Sequence, residues 1–175
     1  MAEVEIHTGH EHASDEFGRR VGVTVGVIGV VLAVVTIGSH RAHTAAVITR
    51  TEANDQWAFF QAKKLREHLL EVGAGLASSL APEPSRVQAL VDKFGKDRER
   101  YKRDAEEIQK EAQSKEAETL HQERRALRLD LGEGFLELGL VMSSLYFLSK
   151  RKFFPLLGAI AAVIGMALGV AGFLI

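Results

Sequence analysis

Hydrophobic and polar positions divide this chain into long blocks. Residues 21–38, VGVTVGVIGVVLAVVTIG, carry no charge, and neither do residues 153–175. Each is close to the roughly 20 apolar residues that cross the hydrocarbon core of a bilayer. A third apolar block, 131–149, is weaker because it contains Glu133 and Glu137. Between the first and third blocks lies a long charged stretch with helical patterning. Its only prolines are in Ala81-Pro82-Glu83-Pro84-Ser85. Proline removes a backbone donor and clashes with the preceding turn, so it ends helices. The pattern predicts an all-α membrane protein with transmembrane helices at 18–39, 131–149 and 153–175. A long antiparallel helical hairpin, coiled-coil-like, projects from the membrane: leg one at 40–80, a turn at 81–85, leg two at 86–130.

The legs have similar lengths, roughly 60–70 Å each at about 1.5 Å per residue. Legs that leave a membrane, meet at a turn and return should match. In leg one, Ala58, Ala62, Leu65, Leu69, Val72 and Leu76 follow steps of 4, 3, 4, 3, 4, the heptad rhythm. They are the expected seam. In leg two the seam runs Val87, Val91, Phe94, Arg98, Tyr101, Ala105, Ile108, Ala112, Lys115, Thr119, Gln122, Ala126, Leu129. Its middle is small or polar. The stretch around it, RERYKRDAEEIQKEAQSKEAETLHQE, favours helix by composition and pairs opposite charges three or four apart. A polar seam is under-used by a lone pair of helices, which favours several copies packing together.

Charge refines the picture. Residues 1–17 hold five acids with His7, His10 and His12 and too little apolar content to pack, so they read as a disordered tail. Histidines dotted among acids in such a tail read as solvated, so no metal site is expected. The chain has no cysteine, which excludes disulfides and thiolate chemistry. A net charge of -1 argues against nucleic-acid binding. The 21–38 run is too long for the core of a cleaved signal, so it is read as a span. Arg19-Arg20 precedes it, and Lys150-Arg151-Lys152 forms the basic turn between the last two spans. Short basic loops stay cytoplasmic. The expected topology is therefore N-terminus inside and residues 40–130 outside.

The spans are rich in small residues: Gly22 and Gly26 in the first, Gly165 and Gly169 in the third. Four-residue spacing of small residues lets helix backbones approach closely in lipid, so these are interface candidates. Glu137, one turn after Glu133, is the intramembrane acid. Such a group is costly and is by default a functional candidate. Against that stands an interfacial role, with the two glutamates reaching Arg124, Arg125 or Arg128. In the first leg, Trp57 and Phe60 share a helix face with Ala53 and contain no nucleophile–base pair, so they are expected to pack rather than to bind a ligand.

NDQWAFFQAK at 54–63, followed far downstream by RLDLGE at 128–133 and the KRK turn, resembles a family of small bacterial membrane proteins of unknown function. The resemblance covers nearly the whole chain and is most specific around Trp57. It implies a bacterial inner-membrane protein and brings no activity.

The leading expectation is a homo-oligomeric membrane scaffold whose partners are the lipid bilayer and further copies of itself. The competing one is a channel or transporter-like assembly using Glu137 and a glycine-lined bundle. Catalysis is not expected: no phosphate-binding loop, nucleophile elbow, HExxH or Cys/His cluster is present, and no cofactor is implied.

Overall fold

The computed structural model describes residues 16–80 and 84–175. They form three α-helices, α1 (Glu16–Leu80), α2 (Pro84–Ser149) and α3 (Phe153–Phe173). The expected acidic tail falls almost wholly outside the described residues, as do its three histidines and Ala81, Pro82 and Glu83 of the expected turn. Helix α1 starts at Glu16, within the segment expected as tail, and Phe17 stacks edge-on against Tyr146 at 5.0 Å. Pro84 opens α2, where a missing N–H costs nothing. All three helices contain a stretch long and apolar enough to cross a membrane. In hydrocarbon every backbone donor must find its acceptor within the chain, which a helix achieves despite the many valines. The hydroxyls of Thr24, Thr44 and Thr51 each donate back to a carbonyl one turn earlier, so these threonines add no unpaired group.

The chain divides into two compact units. The first comprises Met1–Ser39 and Leu127–Ile175. Helix α1 buries Val21, Ile28 and Val35 there, and α2 buries Leu129, Leu136 and Ser143, both at seven-residue intervals. Helix α3 presents Gly158, Ala161, Ala162, Gly165, Gly169 and Gly172 inward. The close approach is real at backbone level. A Cβ on Gly165 would stand 2.7 Å from the Gly132 carbonyl oxygen and 2.8 Å from the Leu136 nitrogen. One on Gly169 would stand 2.9 Å from Val35. Without a hydrophobic drive between helices in lipid, such packing is the main source of association. The turn into α3 is set by Lys150, which adopts φ 54° and donates its N–H to the Tyr146 carbonyl at 2.8 Å. That left-handed residue ends α2.

The second unit is His40–Ala126. Helix α1 buries Ala42, Ala46, Thr49, Ala53 and Glu67 in it, and α2 buries Ala105, Ala112 and Thr119. The α2 stripe is the one its heptad spacing predicts, with Val87, Val91, Phe94, Arg98, Tyr101, Ile108, Lys115 and Gln122 half-buried along it. The α1 stripe is not. Leu65, Leu69, Val72 and Leu76 are exposed, as are Ala58 and Ala62. The expected seam of leg one therefore faces away from α2. The physical reason lies in α2, whose seam is small and charged. It matches the stripe of α1 that supplies small residues and counter-charges, Ala53, Lys63 and Glu67, rather than the stripe that supplies leucine.

Candidate functional site

Ion pairs fix the register of the second unit. Arg50 meets Glu123 at 2.5 Å, Glu52 meets Lys115 at 2.8 Å, Lys63 meets Asp104 at 2.6 Å, and Glu71 meets Arg98 at 3.5 Å. The α2 number falls as the α1 number rises. Small residues at Ala46, Thr49, Ala53, Ala112 and Thr119 let the backbones come close enough for these flanking charges to meet across the seam.

The distinctive segment after the first apolar block lies at this level. Ala53 is buried, Trp57 and Phe60 are half-buried, and Gln61 and Lys64 are exposed. The rings of Trp57 and Phe60 meet edge to face at 5.5 Å, the arrangement favoured by the aromatic quadrupole. Beside them is an open groove of about 360 Å³ lined by Arg50, Ala53, Asn54, Trp57, Glu116, Thr119 and Leu120. Ala53 and Thr119 are the buried members of its lining.

Farther along is a polar layer. The Lys64 ammonium hydrogen-bonds the mostly buried Glu67 carboxylate at 2.7 Å. That hydrogen bond, with the nearby charges of Lys64, Arg98 and Lys102, holds Glu67 below the usual carboxylate range against the opposing effect of burial. Asp104 is lowered in the same way by its hydrogen bond from Lys63. Lys115 is raised by hydrogen bonds to Glu52 and Glu118. The Tyr101 ring sits among the cations of Lys63, Arg66 and Arg100 at 5.1 to 5.8 Å. These contacts pair charge with charge and place no nucleophile beside a base.

In the first unit the acids of α2 take partners that the sequence did not suggest. Thr36 donates to Glu133 at 2.8 Å, and Ser39 donates to Asp130. A hydroxyl of α1, rather than Arg124, Arg125 or Arg128, is thus the hydrogen-bond partner of Glu133 among the described residues. Glu137 is exposed and makes no hydrogen bond or ion pair among the described residues. Gly22 and Gly26 are exposed on α1, and a Cβ on Gly26 would meet nothing within 4 Å. Gly165 and Gly169 lie instead in contacts within the chain, against α2 and α1. No spacing rule reveals Ser39 or Asp130, which are 91 residues apart.

No curated protein and no solved structure matches the chain. A family model does, across residues 17–175, and so takes in both units and all three helices. The chain belongs to the family described as a domain of unknown function (DUF4337).

Proposed function

We propose that this protein is a homo-oligomeric scaffold of the bacterial inner membrane. Three spans anchor it, and residues 40–130 form an extramembrane antiparallel helical hairpin. Its role is structural rather than catalytic. The observation that carries this reading is the surface a single chain leaves uncovered in its apolar unit. Glu137 is exposed six residues into the apolar part of α2, with open space around Gly134. A carboxylate facing lipid costs on the order of 2–3 kcal/mol, and residues of this kind ordinarily face protein or a water-filled space. A neighbouring copy supplies protein. The falling-against-rising ion pairs of residues 50–123 support the hairpin, and they occupy many of the charges that chemistry would otherwise use.

The basic residues Arg19, Arg20, Lys150, Arg151 and Lys152 support a cytoplasmic N-terminus with residues 40–130 outside. Single cysteines at Ser114 and Ser149 test this, since the chain has no other thiol. A membrane-impermeant reagent added to intact spheroplasts should label Ser114→Cys and spare Ser149→Cys. The reverse would invert the topology. Native mass in a mild detergent tests the assembly itself.

A further inference from the structure

Helix α1 carries two stripes in its second unit. The inner one, through Ala53, Phe60, Lys63, Glu67 and Leu70, faces α2. The outer one runs through Ala58, Ala62, Leu65, Leu69, Val72 and Leu76. At about 100° per residue the two stripes are centred roughly 170° apart around the helix. Leu65, Leu69, Val72 and Leu76 remain 60, 59, 44 and 56% exposed. We propose that this outer seam pairs with the same seam of a second copy, parallel and in register, so that two leg-one helices form the centre of the assembly and the charged α2 helices its outside. The inference rests on the homo-oligomeric reading and names the surface that makes it.

Four features select a second copy as the occupant. First, the seam has period 3.5 over nearly three heptads, with Leu65 and Val72 at d and Leu69 and Leu76 at a. That narrow stripe is the signature of helix–helix pairing, whereas a helix lying on lipid needs a wider apolar face. Second, an apolar seam needs an apolar counterpart. In this unit the other large exposed apolar side chains among the described residues are Val47, Ile48, Phe59 and Leu80 of α1 and Leu90 and Leu120 of α2, and none of them forms a run at steps of three and four. The counterpart of matching period on another copy is the same seam, which makes the contact isologous. Third, the flanks are compatible with parallel pairing. Gln61 would lie opposite Arg66 of the second copy, His68 opposite Gly73 and Gly75 opposite Leu80, with no like charges opposed. Copies inserted in a membrane with one topology run in parallel. Fourth, the four large side chains, roughly half exposed, offer on the order of 400 Å² per copy, the scale of the largest apolar patch on an ordinary monomer. That is modest for association from solution. Confinement of the copies to one membrane raises their effective concentration.

The test is oxidative cross-linking of the full-length protein in membranes. Single cysteines replace Leu65, Leu69, Val72 or Leu76 in separate variants, and Ser78→Cys, off the seam, is the control. We expect disulfide-linked dimer at all four seam positions, at least several-fold above the control. Leu69→Gln with Val72→Gln should cut the Leu65→Cys dimer at least about fivefold while leaving the helical content unchanged. Seam cross-linking no better than at Ser78 would overturn the proposal. So would efficient linking only between Leu65→Cys and Leu76→Cys in a mixed sample, which marks antiparallel pairing. So would thiols shielded from a water-soluble reagent by lipid without cross-linking, which marks a membrane-lying face. Native mass separates the levels. Several chains without seam cross-links defeat the seam and leave the oligomer standing. A single chain defeats the oligomer.

Discussion

Replacing Gly165 by alanine should weaken the apolar unit, and the structure sets the size of the effect. The added methyl would stand 2.7 Å from the Gly132 carbonyl oxygen, 2.8 Å from the Leu136 nitrogen and 2.9 Å from Leu136 Cγ. Two of those atoms are backbone and cannot rotate aside, so α3 must retreat from α2 by about half an ångström. A gap of about 0.5–1 Å forfeits roughly a quarter to a half of the dispersion well of each contact it opens. Overpacking of this kind costs about 1–3 kcal/mol. Alanine's better helix propensity offsets about 0.5–1 kcal/mol of that. A net loss of about 1–2 kcal/mol is expected. Gly26→Ala is the control, because nothing lies within 4 Å of its added carbon. It should be neutral or slightly stabilising. The assay is equilibrium unfolding in mixed detergent–SDS micelles, read by energy transfer between labels on Leu131→Cys and Val170→Cys, two exposed positions of α2 and α3. Equal stability of Gly165→Ala and Gly26→Ala would refute close glycine packing as what holds these helices together.

Three further outcomes follow from the same geometry. Glu67 and Asp104 have folded-state pKa values below their unfolded ones, so the stability they add is present above the usual carboxylate range and is lost as pH falls through and below about 4. The thermal midpoint followed by Trp57 fluorescence should drop in that window, and less so in Lys63→Met with Lys64→Met; an unchanged midpoint between pH 7 and 3 would count against the polar layer. Lys150→Gly should stabilise the turn into α3 by about 0.5–1 kcal/mol, because glycine occupies the left-handed region without the Cβ clash, and a loss of stability in the same SDS titration would contradict this. Trp57→Ala should cost about 1–2 kcal/mol, less than a fully buried aromatic, by circular dichroism melting. A variant of unchanged melting temperature would show that the ring does no packing.

Much of the architecture is legible in the sequence, and the failures are instructive. The three apolar blocks, the prolines of 81–85 and the basic turn at 150–152 locate the helix ends, because hydrocarbon length and, at proline, a missing backbone donor are local constraints. The seam of α2 is legible as well, since Ala105, Ala112, Thr119 and Ala126 leave one narrow stripe that another helix can approach. Leg one misleads because it bears two heptad stripes, and hydrophobicity points to the wrong one. The choice depends on α2: a seam holding Arg98 and Lys115 is matched by Glu52, Glu67 and Glu71 and would be left unpaired by leucines. The hydroxyl–carboxylate contacts of Ser39 with Asp130 and Thr36 with Glu133 are invisible in the sequence because nothing local sets the register between positions so far apart. The glycines of α3 are legible as a close-packing face, but their neighbours are known only from the fold.

The central claim is assembly, and the mass of the solubilised particle tests it most directly. Full-length protein extracted in a mild detergent, with its helical content verified by circular dichroism, should have a protein mass that is a multiple of the 19.2 kDa chain. A single 19.2 kDa chain at working concentration, with the helices intact, would contradict it.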